Sequence, residues 1–66
     1  MKVWLNGEPQ EVADAASVAD ALDGHGVPPR GVAVAVDGEV VPRASWATSP
    51  LTEGARLEVL TAVQGG

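Results

Sequence analysis

The residues with the most chemical potential lie at the end of the sequence, in Val63-Gln64-Gly65-Gly66. Glycine has no Cβ, so a Gly-Gly end threads a narrow channel and brings its backbone close to a ligand. The carboxylate of a terminal Gly66 is unhindered. A carboxylate is a poor acyl donor because it lacks a good leaving group. Coupling to AMP supplies one, and the acyl-adenylate can then accept sulfur to give a thiocarboxylate. In such chemistry the chain is a carrier and co-substrate, not the catalyst. A Gly-Gly pair alone is a weak signal, equally at home in a frayed chain end. Its weight depends on the elements that precede it.

The other reactive residue types offer little. There is no cysteine, which excludes disulfides, thiolate metal sites and cysteine nucleophiles. His25 sits between Gly24 and Gly26 and reads as a solvated loop residue, with no second metal ligand beside it. Ser17 reads as a helix cap rather than a nucleophile. Arg43 either supports a hairpin or meets a partner carboxylate. Asp14, Asp20, Asp23 and Glu53 read as solvated charges. With no acid/base pair, nucleophile or metal cluster in view, an independent enzyme is the least favoured class.

The chain has 66 residues and a formal net charge of −5, with its four basic residues scattered at Lys2, Arg30, Arg43 and Arg56. No basic patch forms from these, which disfavours nucleic-acid binding. The acidic balance suits solubility and equally a basic partner. At 45% apolar residues the chain is too hydrophobic for a disordered tail. A domain of about 60 residues buries only about 60% of the surface its unfolded chain exposes, which leaves little room for a deep cleft. No run approaches the roughly 20 apolar residues of a membrane span. Nor does the start have the apolar segment of a secretory leader. The expectation is a soluble cytoplasmic domain.

The elements that must position the tail follow from alternation and turn residues. Lys2 to Leu5 alternates, with Val3 and Leu5 on one face and Lys2 and Trp4 on the other. Asn6-Gly7 is a two-residue hairpin signal, because both positions need positive φ. Glu8 to Val12 is the return strand, and Pro9 marks it as an edge. Ser17 and Asp20 make an [ST]-x-x-[DE] helix start. Val18, Ala21 and Leu22 then form its core face, and Gly24, Gly26 and Pro28-Pro29 end it. Gly31 to Val36 alternates, with Val32, Val34 and Val36 inward. Asp37-Gly38 is a second hairpin turn before a short strand, Glu39 to Val41. Residues 44–51 read as irregular, with a short helical turn near Trp46 covering one end of the core. Glu53-Gly54 is a further turn, and a last strand runs from Arg56 to about Ala62 with Leu57 and Val59 inward.

The order β-β-α-β-β-β, with one helix on one face of a mixed sheet of about five strands, is an α+β roll. The first and last strands are expected side by side at the sheet centre, the arrangement of a ubiquitin-like β-grasp. The division is a β-grasp domain over residues 1–63 and a flexible tail over 64–66. On the outer sheet face, Trp4, Ala33, Ala35, Leu60 and Ala62 lie out of phase with the core residues. They are expected to form a flat apolar patch that docks partner proteins.

Nearly the whole chain resembles a known family, the sulfur carrier proteins of thiamine biosynthesis (ThiS). The resemblance rests on Val3-Trp4-Leu5-Asn6-Gly7-Glu8, on Ser17-Val18-Ala19-Asp20-Ala21-Leu22, and above all on the hairpin from Val32 to Arg43. Trp46-Ala47, Leu51-Thr52-Glu53-Gly54 and the Val63-Gln64-Gly65-Gly66 tail add to it. Two departures, Gly54-Ala55 for a frequent Gly-Asp and Asp37 for a frequent Asn, are local turn chemistry. The resemblance implies that an E1-like adenylyltransferase (ThiF type) uses ATP to adenylate Gly66. A cysteine desulfurase or other sulfur donor then supplies sulfur. The thiocarboxylate delivers it to thiazole synthase (ThiG type). Gly65 and Gln64 would thread the tail, and no cofactor would be bound by the carrier itself. Three alternatives stay open at this point: a sulfur carrier of another pathway, a ubiquitin-like protein modifier, and a bare interaction module.

Overall fold

A computed structural model of the chain describes residues 1–27 and 30–61. Five strands, β1 (Lys2–Leu5), β2 (Glu8–Glu11), β3 (Val32–Val36), β4 (Glu39–Val41) and β5 (Arg56–Thr61), form one sheet in the order β2-β1-β5-β3-β4. Helix α1 (Val18–Gly24) packs on one face. β1 and β5 pair in parallel, and the other neighbours are antiparallel. β5 is thus the central strand, and its own C-terminal end leads into the Gly-Gly tail. This is the ubiquitin-like β-grasp roll.

Both hairpins form as the turn residues dictate. Asn6 and Gly7 have φ of 50° and 85°, and Asp37 and Gly38 have 50° and 86°. Those left-handed pairs define the turn whose twist matches the flanking strands. β2 ends at Glu11, one residue before its expected limit, although Val12 N still donates to Met1 O at 2.9 Å. Pro9 lies in β2, an edge strand, where its missing donor costs no ladder bond.

Helix α1 starts at a reciprocal capping box. Asp20 N donates to Ser17 Oγ at 3.1 Å, and Ser17 N donates to Asp20 Oδ2 at 3.0 Å. Asp20 is exposed, as expected of a solvated charge, and also closes the capping box. The bond from the Ser17 backbone, then that from its side chain, holds the Asp20 carboxyl below its ordinary value of 3.8. A depressed folded value means that the carboxylate's contribution is in place above 3.8 and is lost as pH falls through the lower folded value. Replacing Ser17 by Ala is expected to cost about 1 kcal/mol in a urea titration near neutrality. Asp20→Asn should lack the part of the acid-range decline that this carboxylate causes.

Asp14 and Glu53, exposed as expected of solvated charges, also have partners. The amino terminus, which donates to Val12 O at 2.7 Å, lies 3.3 Å from Asp14 Oδ1. Glu53 accepts from Lys2 N at 3.2 and 3.3 Å, tying the turn before β5 to the start of β1. His25, expected in solvent, is half-buried, with Nδ1 2.9 Å from Ala21 O at the helix end.

The core comprises Val3, Val18, Ala21, Leu22, Val34, Trp46, Leu51, Ala55 and Leu57. The segment expected to be irregular with a short helical turn near Trp46 is a 3₁₀ helix over Arg43–Thr48. It begins after Pro42, whose φ of −60° suits a helix entry, and Ser45 N donates to Pro42 O at 2.8 Å. It swings Trp46 into the core, where Nε1 donates to Val41 O at 2.9 Å, so the indole is buried without an orphaned donor. The following residues are stitched to the helix start: Val18 N donates to Ser49 O and Leu51 N to Ala16 O.

Candidate functional site

The residues expected to carry the chemistry, Gly66, Gly65 and Gln64, lie outside the described residues, as does Ala62 of the expected docking patch. What the fold supplies is the base from which that tail starts. β5 is held on both flanks by residues of the two hairpin turns. Asp37 N donates to Arg56 O at 2.8 Å, and Arg56 N donates to Asp37 Oδ1 at 3.1 Å. On the opposite flank, Val59 N donates to Asn6 Oδ1 at 2.8 Å. The αL-tolerant residue that makes each turn thus also clamps the central strand. Nothing in the local turn chemistry signals this second role. It arises only when β5 is brought between β1 and β3.

The outer sheet face is open among the described residues. Leu60 is 67% exposed, Ala33 opposite it is exposed, and Ala35 is half-buried. Val40, at 73% exposure, belongs to the same cluster and was missed by the sequence reading. Its signal was available: the two-residue turn at Asp37-Gly38 forces Val40 opposite Ala35, hence onto Ala35's face. Trp4 shares this face but stands apart from the cluster. Arg56 lies opposite Trp4, and Glu58 lies opposite Ala35, so two charged side chains of β5 intervene. The distance across one intervening strand is about 10 Å. Lys2 Nζ sits 5.4 Å from the Trp4 ring centroid, a cation–π contact that covers part of the indole.

Beside Trp4 a surface hollow of about 720 Å³ runs between Gly7, Gly38, Arg56 and Glu58. Its lining includes two carboxylates, Asp37 and Glu58, and one guanidinium, Arg56, with no Ser, Thr or His side chain beside them to act as a nucleophile or imidazole base. Among the described residues no group of three or more His, Asp or Glu side chains is gathered to hold a metal ion. Nor is any helix among the described residues long and apolar enough to cross a membrane. The described residues form a platform with an open apolar face around a central strand that runs to Thr61.

Comparison with known proteins agrees with that geometry. The model of the ThiS family matches residues 3–66. The chain is 36% identical to the sulfur carrier protein ThiS of Thermus thermophilus, over 97% of this chain and 98% of that protein. It is 35% identical over its whole length to part of a thiazole synthase of Paramagnetospirillum magneticum, and spans only 20% of that longer protein. Among solved structures it resembles the crystal structure of the thiamine biosynthesis protein ThiS from Geobacter metallireducens. The TM-score is 0.85 at 29% identity, with 100% of each chain covered. The chain therefore belongs to the ThiS family, the sulfur carriers of thiamine biosynthesis.

Proposed function

We propose that Gly66 is the acyl site of this carrier and that the folded domain is its handle. The reading is supported by the sequence order: Val63-Gln64-Gly65-Gly66 follows, after Ala62, the last residue of β5, the central strand held from both flanks. A partner adenylyltransferase of the E1-like type couples the Gly66 carboxylate to AMP, with pyrophosphate leaving from ATP. A donor persulfide, such as that of a cysteine desulfurase, is reduced by a thiol, which leaves as a disulfide, and the sulfide released then attacks the acyl carbon. The C–S bond forms, the C–O bond to AMP breaks, and AMP leaves. Gly65 and Gln64 carry the end into the partner's channel, where side chains larger than hydrogen at Gly65 would obstruct it. ATP is the partner's substrate, and the carrier holds no cofactor of its own. It is a protein co-substrate and not an enzyme, working in the cytoplasm.

Thiazole synthase is the proposed acceptor. The reading is supported by the thiazole synthase of Paramagnetospirillum magneticum, which holds a carrier-like segment within its own chain. A linked carrier has a high effective concentration at its acceptor, and a separate carrier must reach it by docking. The outer face is the proposed docking surface, with Ala33, Ala35, Val40, Leu60 and Ala62 as its apolar part and Trp4 as a flanking aromatic. The net charge of −5 favours approach to a basic partner surface.

Leu60→Asp is expected to lower kcat/KM for adenylation at least about tenfold, because it places a charge in a desolvated contact. Since the side chain is solvent-facing, the urea midpoint should correspond to a change within about 0.5 kcal/mol. Val40→Asp should act in the same direction. Undiminished turnover in both variants would rule out this face as the docking surface.

A further inference from the structure

β1 stops at Leu5, opposite Leu57, because Asn6-Gly7 reverses the chain there. β5 continues to Thr61. On the β1 side the ladder proceeds in steps of two along β5. Trp4 N donates to Ala55 O at 2.8 Å, and Asn6 N donates to Leu57 O at 2.9 Å. The next β5 residue facing that side is Val59, and β1 has no further strand residue to offer it. The Asn6 side chain takes that place. Its Oδ1 accepts from Val59 N at 2.8 Å, and its Nδ2 donates to Val59 O at 3.4 Å. A carboxamide carries a donor and an acceptor in one plane, as a peptide group does, so it adds one rung beyond the strand's end.

We propose that Asn6 is a positioning residue for the carrier reaction: its carboxamide holds the tail-proximal end of β5 and so fixes the point and direction from which the tail departs. This rests on the reading of Gly66 as the acyl site. Asp37 makes the corresponding turn on the other flank, yet its carboxylate only accepts, and it acts at Arg56, where β5 begins. Asn6 alone among the two reaches the half of β5 nearest the tail. Each residue released from the sheet must be ordered again when the tail enters a partner, and that cost falls on binding. β3 pairs with β5 as far as Thr61, so Asn6 supplies the matching hold on the β1 flank at Val59 and keeps this end of β5 fixed from both sides.

The test uses variants that keep the turn. Asn6→Gly accepts the φ of 50° without strain and removes both side-chain bonds. Asn6→Asp retains the acceptor for Val59 N and the tolerance of the left-handed region. Adenylation by an E1-like partner is followed as pyrophosphate release at varied carrier concentration, alongside amide hydrogen exchange. Asn6→Gly is expected to raise KM for the carrier about three- to tenfold, with kcat within about twofold, the pattern of lost uniform binding. The Val59 amide should exchange faster while amides elsewhere in the sheet keep their protection. Asn6→Asp should restore most of the KM. An unchanged KM in Asn6→Gly, with wild type active, overturns the positioning role alone. A fall in protection across the whole sheet, accompanied by loss of kcat, reduces Asn6 to a structural residue and also overturns it. A wild-type chain that is never adenylated overturns the reading of Gly66 instead, while Val59 exchange still decides whether the clamp holds.

Discussion

Removing Gly66 is expected to lower ATP-dependent thiocarboxylate formation by at least about a hundredfold while leaving the unfolding transition unchanged. The reason is reach. Deleting the last residue withdraws the carboxylate by about 3.3–3.6 Å, the span of one extended residue. Misplacement of a reacting group by about 1 Å can already cost about a hundredfold. The truncated chain still ends in Gly65, so the loss cannot be assigned to a bulky terminal side chain. The β-grasp core, from Val3 to Leu57, is untouched. Parallel measurements of thiocarboxylate yield by mass spectrometry and of urea unfolding by fluorescence of Trp46 separate the two effects. A truncated carrier that accepts sulfur as fast as the full chain would show that the acyl site is not at this end.

Leu57→Ala should have the largest effect on stability, about 3–4 kcal/mol. Leu57 lies in the central strand, opposite Leu5 and Val36, and is 1% exposed. Its loss removes transfer free energy and leaves a cavity that the flanking strands cannot close without shifting. A domain of this size has on the order of 3–10 kcal/mol of stability in all, so the variant should lose at least about a third of it. The control lies three residues along the same strand. Leu60→Ala, on the outer face, should change stability by no more than about 0.5 kcal/mol. The urea midpoint reports both changes, and an unchanged slope confirms that the comparison concerns stability alone. Equal effects at the two positions would contradict the facing of β5.

The contrast between these two leucines was legible in the sequence, since side chains alternate between faces with a period of two. So were both hairpins, because Asn6-Gly7 and Asp37-Gly38 pair residues that tolerate positive φ. The helix start was legible because Ser17 and Asp20 stand at the spacing of a capping box. Local chemistry decides such features, and local chemistry is what a sequence displays. Less was visible where distant segments meet. The clamps by Asn6 and Asp37 exist only because β5 arrives from the other end of the chain. Ala55 is buried at 3% exposure, yet as a small residue between turns it carried no periodic signal. The 3₁₀ helix around Trp46 lacks the repeat that would distinguish it from a loop. Asp14 and Glu53 are solvated as their sequence neighbourhood suggested, but their partners, the amino terminus and Lys2 N, lie far off in the sequence and were not visible there. Val40 is different in kind. Its facing followed from the hairpin register and needed only that the register be carried one residue further.

The central claim is that Gly66 becomes a thiocarboxylate. The most direct measurement is the intact mass of the chain after incubation with ATP, a cognate adenylyltransferase and a sulfur source, with fragmentation to place any change. Replacing one oxygen by sulfur has nearly the mass effect of oxidising Met1 or a tryptophan, so location matters as much as mass. A sulfur-for-oxygen shift that maps to Gly66 and requires ATP is the result predicted. No shift at Gly66, with the same enzyme shown active on another carrier, or an isopeptide bond from Gly66 to lysines of other proteins, would contradict it.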